Sequence, residues 1–519
     1  MKIFCTASKD TYITDKIIDN RLRAEDANVG RAGTLDVFRL WNETIINGSG
    51  SQNELSRALI KFDYQKIHEL TASKLDLSNF TATLRLFDMK TGHAVPANFN
   101  LSVLPLSKAF DEGAGRDIGS FGDLDSCNFI TSSIDGTGAA VLWNMSGANA
   151  IGDLGAADLD IFDRANFNDG AGLSLIAKSQ NFIKGTEDLS VDVTKIVSAS
   201  VAGQIENHGF RIAFSGSEET DSKSRFVKRF ASRHVSNLSL RPKIEIAFDE
   251  SIQDNHSNFY FDLSGSLFLN SYERSSAANL VSGSALTPIA GTNSLMLKLK
   301  TGSFVYATSA SQYSRGTIDA NGENFLTGVY SVSFAIPSTD TSLVASASDS
   351  TLANWVATSG SLTMEEYWYS LDGNVGFHTG SIKINRAART SGNWTSREPL
   401  IQITNLNHEY STSDEVSLRI FGRDLVNEQN QPAKIPINLK PVIFDEVYYR
   451  VRNTKDGKLI IDFGEDDNST RVSTDNEGMF FDFHMDTLYA NNAYEFEFLV
   501  IDRGQRHVVA NRSLQFVVR

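Results

Sequence analysis

A period of two is the feature that most constrains this chain. Apolar and polar residues alternate in Thr83–Phe87 (TLRLF), Gly209–Phe214 (GFRIAF), Lys243–Phe248 (KIEIAF), Met296–Leu299, Ser331–Phe334, Val416–Ile420 and Glu495–Phe498. Successive side chains of a strand point to opposite faces, so such runs are strands with one buried and one wet face, the habit of antiparallel sheets. Arg57, Leu59, Lys61 and Asp63 are expected on a mostly charged face of such a strand, with Ala58, Ile60 and Phe62 on the buried one. Helical spacing is confined to Ile67–Leu77 and Val193–Ala202, where Thr194 is a candidate cap. Short strands between Ser-, Gly-, Asn- and Asp-rich turns predict an all-β chain of tandem β-sandwiches.

The length, 519 residues, calls for about three domains at roughly 100–200 residues each. Two polar stretches, Asp249–Asn258 and Arg386–Arg397, have linker composition and place the borders. The expected domains are 1–250, a jelly-roll sandwich with long loops; 257–390, a middle sandwich; and 397–519, a C-terminal Ig-like sandwich. The first exceeds the roughly 100 residues of one sandwich, and its excess falls in the Gly-, Asp- and Ser-rich stretch Asp111–Asp169.

Lys and Arg number 48 against 63 Asp and Glu, a formal charge of −15, which argues against a nucleic-acid partner. No apolar run approaches the ~20 residues that cross a bilayer, so no membrane partner is expected. The opening MKIFCTASKDTY has no apolar stretch of secretory-signal length, and two cysteines, Cys5 and Cys127, make no disulfide framework. A reduced, cytoplasmic folding compartment is the expectation.

An ordered series of short motifs runs through the first 248 residues: Asp10-Thr11-Tyr12-Ile13, Asn28-Val29-Gly30, Ser56–Asp63 (SRALIKFD), Ala82–Phe87, Phe110–Gly113 (FDEG), Val191–Val197 (VDVTKIV), Phe230–Arg233 (FASR) and Arg241-Pro242. In this order they resemble the DNRLRE family of jelly-roll domains, which are similar to carbohydrate-binding modules. Phe110 stands where the family has tryptophan, and Ala231 replaces one of two closing serines. A second likeness spans nearly the whole length. Gly216–Thr220 (GSEET), Phe226–Phe230 (FVKRF), Ser264–Asn270 (SGSLFLN), Val447–Arg452 (VYYRVR) and Gly478–Phe483 (GMFFDF) resemble virion proteins of marine tailed bacteriophages. That resemblance implies a structural part of a tail, neck or other appendage, assembled in the bacterial cytoplasm.

The chain has neither a phosphate-binding Gly-Lys-Ser/Thr loop nor a Gly-x-Ser-x-Gly elbow, and its nine histidines include no His-x-x-x-His pair. Carboxylates cluster at Asp158, Asp160, Asp163 and Asp169, at Glu218, Glu219 and Asp221, and at Glu465, Asp466 and Asp467. The first set is a candidate loop for a structural Ca²⁺, since oxygen-rich loops suit a hard cation. No second carboxylate is placed opposite a first in the manner of a glycosidase pair, so no catalytic residue is assigned. The basic residues Arg225, Lys228, Arg229 and Arg233 either compensate the acidic turn before them or face a partner's acidic surface. Tyr367, Tyr369 and Tyr448 belong to aromatic runs (Tyr367-Trp368-Tyr369, Trp394, Tyr448-Tyr449, Phe480-Phe481) in which alternate residues are core and the others are interface candidates.

The function expected from the sequence is therefore that of a non-enzymatic virion subunit, multi-copy or homo-oligomeric, bound to other virion proteins and needing no cofactor. The alternative is a glycan-binding adhesin at the host surface. A polysaccharide depolymerase is a third reading, without a site to support it.

Overall fold

A computed structural model describes residues 1–519 except 20, 42–52, 72–79, 91–96, 120–125, 168–171, 222–226, 275, 284, 315–324, 345–349, 388–397, 426–440 and 503. The chain is all-β and divides into two compact units, Lys2–Ala247 and Phe248–Arg519, Met1 being counted with the second.

The first unit is organised by one long strand, Lys2–Thr14. Its first half pairs antiparallel with Lys243–Phe248, which leads on to Phe80–Leu86 and Leu189–Asp192. Its second half pairs with Asn53–Phe62, followed by Phe210–Phe214, Phe99–Pro105 and Lys178–Phe182. The register shifts between Ala7 and Lys9, where the strand passes from one set of partners to the other. Stacked and tilted phenylalanines fill the core: Phe99 lies 5.0 Å from Phe182 and 5.4 Å from Phe214. The helix Thr194–Val201 sits where helical spacing predicts it, and Gln65–Thr71 overlaps the start of the expected Ile67–Leu77, of which 72–77 lies outside the described residues. Thr194 is not the cap: Asp192 Oδ1 accepts from the Thr194 N–H and Oγ1, and Thr194 Oγ1 accepts from the Ala82 N–H.

The expected wet face is not wet. Asn53–Phe62 buries Ser56, Arg57, Ala58, Leu59 and Ile60 in succession, and Phe210–Phe214 is buried at every position. The long stretch after Leu106 folds back over this part of the sheet. Its Phe110, Cys127, Trp143, Ala148 and Ile161 form one apolar cluster with Ile13, Leu59 and Leu104. What composition reads as loop is thus a roof, with a small sheet of its own: Ile151–Asp153, Ile161–Asn166 and Leu173–Leu175.

The second unit holds a seven-stranded sheet in the order 259–260, 376–385, 361–370, 295–301, 304–314, 325–334, 265–270. Its core gathers Leu295, Leu297, Leu299, Tyr330, Met364, Trp368 and Ile384, with Leu352 and Val356 of the helix Leu352–Ser359. That helix begins at Thr351, whose Oγ1 accepts from the Asn354 N–H, and ends at Gly360 in the left-handed conformation that glycine tolerates.

The rest of the unit is a sandwich of a four-stranded sheet (399–403, 415–424, 478–484, 473–475) and a five-stranded one (409–410, 505–518, 492–502, 446–453, 459–461). Aromatic rings from both sheets interlock: Tyr449 stacks on Phe481 at 4.5 Å, and Phe496 on Phe516 at 4.9 Å. The polar stretch Asp249–Asn258 is not a free linker. Gln253 makes a parallel bridge to Thr474, the Thr474 N–H donates to the Ile252 carbonyl, and the Asp254 N–H donates to the Thr474 carbonyl. The backbone groups of this stretch are therefore satisfied by strand addition, which its sequence period does not reveal.

Candidate functional site

The densest polar cluster in the first unit is built where several of the ordered motifs meet. Asp10 comes from the long strand, Asn28 and Gly30 from the turn after it, Glu112 and Gly113 from the start of the roof, and Arg233 and His234 from the segment after strand Lys228–Ala231. Asn28 fastens two of these pieces. Its Nδ2 donates to the carbonyls of Glu112 (2.9 Å) and Cys127 (2.8 Å), and its Oδ1 accepts from the Gly115 N–H (2.9 Å). Gly30 is required by approach rather than by a positive φ, since a Cβ there would lie 1.8 Å from the Glu112 carbonyl oxygen. Gly113 does have a positive φ, +76°, and faces the Asn28 side chain.

Glu112 is clamped on both oxygens by Arg233, Nε to Oε1 at 2.5 Å and Nη2 to Oε2 at 2.7 Å, the fork geometry of a bidentate pair. Its Oε1 also accepts from the Asp10 N–H at 2.9 Å, and His234 Nε2 stands 3.4 Å away. Asp10 is 1% exposed. Its Oδ2 accepts from the Arg233 N–H at 2.5 Å, while its Oδ1 is buried with no hydrogen-bond partner among the described residues. Burial pushes the Asp10 carboxyl up to about 7, with the Arg233 N–H opposing and the Glu112 charge adding to the rise. One carboxylate oxygen each from Asp10 and Glu112 and one ring nitrogen of His234 lie within 4.8 Å of one another, the one such trio of possible metal ligands among the described residues.

A second ionic node lies in the second unit. His256 Nδ1 is 2.7 Å from Asp254 Oδ1, and its Nε2 is 3.0 Å from both oxygens of Glu366. Glu366 occupies the inward row of strand Ser361–Ser370 between Met364 and Trp368, and Trp368 Nε1 also donates to it. Burial alone would depress the His256 imidazolium, but the bonds and charges of Asp254 and Glu366 outweigh it and push it up to about 10. Every contact here holds a buried charge against its opposite, and neither Glu366 oxygen is left without a partner. Beside this node is a cleft of about 740 Å³, bordered by His256, Tyr260, Asn385, Asp445, Asn476 and Glu477 among others.

The residues singled out from the sequence are placed as follows. Asp160 is fully buried and accepts from the backbone N–H groups of Asn144, Met145 and Ala150, with Lys108 Nζ 3.9 Å from its Oδ1, so both oxygens are taken and it organises the roof. Asp158 is exposed at φ +57°, Asp163 is half-buried, and Asp169 lies outside the described residues. The expected Ca²⁺ loop is therefore not assembled among the described residues: three backbone amides take the place of the ion.

The basic residues read as compensating the acidic turn or facing a partner are paired within the first unit, with acids outside that turn. Lys228 is 0% exposed, pairs with Asp88 at 2.6 Å, donates to the carbonyls of Gly185 and Glu187, and lies between the rings of Phe182 and Phe230. Arg229 is bidentate to Asp36 at 2.6 Å, and Arg233 is bidentate to Glu112; Arg225 lies outside the described residues. The acidic turn is likewise internal. Glu219 Oε1 accepts from Arg57 Nε at 2.6 Å, and Glu218 Oε2 accepts from the Asn100 N–H. Glu465 pairs with Arg506, and Asp467 accepts from Ser469.

Tyr448 and Tyr449 are both buried, against the expectation that one of the two faces outward. The Tyr448 hydroxyl donates to Glu446 at 2.9 Å, which lets the second ring be covered as well. Tyr367 and Tyr369 are half-buried on the face opposite Trp368, and Phe480, opposite buried Phe481, lies under the Arg419 guanidinium. Trp394 lies outside the described residues. Both thiols are buried, and burial pushes Cys5 up to about 11 and Cys127 well above the ordinary range, so neither is a nucleophile at neutral pH.

Sequence reasoning missed the three-way convergence on Asp10, Glu112 and His234, and also Glu366. The signal for Glu366 is present: a carboxylate in phase with Met364 and Trp368 breaks an apolar row.

No protein-family model and no curated protein matches the chain. Among solved structures, the FN1–FN3 domains of chicken CNTN1 align over 59% of this chain and 82% of theirs, with 9% identity and a TM-score of 0.14. A putative membrane anchored protein from Corynebacterium diphtheriae aligns over 100% and 97%, with 9% identity and a TM-score of 0.13. At these scores neither likeness carries an argument; the all-β fold rests on this chain's own strands.

Proposed function

We propose that this chain is a non-catalytic structural subunit of a tailed-bacteriophage virion, part of a tail, neck or fibre-associated assembly, acting in several copies through protein–protein contacts. The observation that favours it is on the roof of the first unit. Leu142, Met145, Ile151, Leu173 and Leu175 are each half or more exposed there. Leu173 and Leu175 lie on a strand that ends its sheet, with partners on one side alone among the described residues. Exposed apolar side chains on a short edge strand suit a surface that becomes buried on assembly. Lys228, Arg229 and His256 are each bound to acids of their own unit. The motifs that resemble virion proteins of marine tailed phages, spread over nearly the whole length, suggest the class of assembly.

The test is reconstruction of the encoding phage's purified particles by electron cryomicroscopy. Regular copies of this fold in an appendage, lost when Leu173 and Leu175 are both changed to Asp, are expected. Particles that lack the chain altogether would sink the proposal.

The cleft in the second unit favours a second reading, a glycan-binding adhesin. An aromatic ring, two amides and two carboxylates (Tyr260, Asn385, Asn476, Asp445 and Glu477) are the groups that stack on and hydrogen-bond a polyhydroxylated ligand. Glycan-array binding that disappears in Tyr260→Ala would favour it; a silent array would count against it.

A further inference from the structure

Asp10 differs from two other buried acids, Asp160 and Glu366, in how it is partnered. Asp160 has three backbone amides, and Glu366 has His256 and the Trp368 indole. Asp10, almost wholly buried, has a second oxygen with nothing to accept from among the described residues. A buried polar atom left so costs about 1–3 kcal/mol, more when it is charged, and a ligand is one way to remove that cost.

The groups around it define the ligand. Of the two carboxylates, Glu112 takes the Arg233 guanidinium and Asp10 takes only the Arg233 backbone N–H, so one carboxylate has no cationic side chain bonded to it. Arg241 acts on Asp10 through its charge alone. The candidate ligand atoms lie within 4.8 Å of one another. In a triangle no wider than that, each corner is within about 2.8 Å of the centre, so small inward movements bring all three to the ~2.0–2.2 Å of a transition-metal bond. A site with an imidazole nitrogen suits Zn²⁺ or Mn²⁺ over Ca²⁺, which prefers oxygen alone. Glu112, held through both oxygens by Arg233, and Asp10, held by the Arg233 N–H, are oriented as ligating carboxylates are by an outer layer of donors. The His234 side chain, 28% exposed, leaves the site open to solvent on its side, giving three protein ligands and room for water.

We propose that Asp10, Glu112 and His234 form a binding site for a single transition-metal dication, Zn²⁺ or Mn²⁺, that ties the long strand, the roof and the closing segment of the first unit together. The role is structural: the ion would stabilise the junction of three chain segments distant in sequence.

The full chain, stripped with chelator and desalted, is titrated calorimetrically with Zn²⁺, Mn²⁺ and Ca²⁺ salts. One equivalent of Zn²⁺ or Mn²⁺ is expected to bind, at least tenfold more tightly than Ca²⁺ and with a rise in melting temperature. His234→Gln should weaken binding by about 10–100-fold. This variant changes the most accessible of the three ligands, so it is expected to fold even if Asp10→Asn does not. Asp158→Asn should bind like the parent chain. No binding of either metal, or undiminished binding by His234→Gln, overturns the proposal. An anomalous-scattering peak at the metal edge among the three side chains would locate the ion; a peak elsewhere on the chain would equally overturn it.

Discussion

The two units each contain a node in which histidine meets two carboxylates, and the nodes are built on opposite terms. In the second unit, His256 sits between Asp254 and Glu366 and answers both directly. In the first, Arg233 takes the place of the central cation, His234 stays at the margin, and one oxygen of Asp10 is left over. The difference follows from where the acids lie. Glu366 is in a flat apolar row of one strand, where a single ring from the Asp249–Asn258 segment reaches it. Asp10 and Glu112 lie at a corner where three segments cross, so the donors come mostly from backbone and one guanidinium. A closed node fixes structure alone; an open one leaves room for a further ligand.

The hardest way to break the comparison is His256→Ala. It strands the Glu366 carboxylate among Met364 and Trp368, and should destabilise the second unit by about 3–5 kcal/mol, the usual loss when one partner of a buried pair is removed. Hydrogen exchange in strand Ser361–Ser370 should accelerate sharply, while exchange in the first unit's strand Asn53–Phe62 should not. Unchanged protection at Ser361–Ser370 would mean that the node does not hold the sheet.

Next in size is Gly30→Ala. Its methyl would meet the Glu112 carbonyl, and the first unit should lose about 2–3 kcal/mol by overpacking. A loss under about 0.5 kcal/mol in chemical denaturation would show that the Glu112 segment yields without cost.

Acidity separates the nodes further. His256 is pushed up to about 10 in the folded chain against 6.5 when free. Its contribution is fully present below pH ~6.5 and is lost as the pH rises toward 10, by at most about 1.4 kcal/mol per pH unit. Glu366 is shifted downward, with burial opposing and His256 prevailing, so its share is lost instead as the pH falls through the acid range. The second unit should therefore weaken between pH 7 and 9, and His256→Ala should remove that slope. A slope that survives in the variant would assign it to another group.

Arg233→Lys keeps the charge and loses the fork on Glu112, which should cost the first unit about 1 kcal/mol. Asp158→Asn, on an exposed turn, should stay within about 0.5 kcal/mol of the parent with or without Ca²⁺. A calcium-dependent loss in that variant would restore the acidic loop as a cation site.

Much of this fold is legible in sequence because strands that bury one face write it as alternation, as Ser361–Ser370 and Glu415–Asp424 do. The roof is not legible in the same way. Arg57 and Arg211 read as solvent-facing charges, yet their heads reach the carbonyls of Gly147 and Ala148 under the roof, and burial depresses the Arg211 guanidinium to about 9. Hydrogen bonding to backbone more than 60 residues away leaves no periodic trace. The same holds for the Asp10 cluster: its members are spread from position 10 to position 234, and spacing along the chain says nothing of their meeting. Asp10, Asn28, Glu112 and Arg233 each stand in one of the short motifs of the first unit, and the fold brings those motifs together.

The stretch that leads out of the first unit has a mechanical consequence. Ile252–Asp254 is laid parallel to Ser473–Thr474 and held by two backbone bonds, with the Gln253 amide and the Thr474 hydroxyl adding side-chain ones. A pull directed along Ile252–Asp254 loads these bonds together in shear, whereas a pull across it opens them one after another. A joint of that kind resists a pull better than it resists peeling. A pull of that kind is carried into the sheet that holds Ser473–Thr474 before the backbone around it begins to unravel.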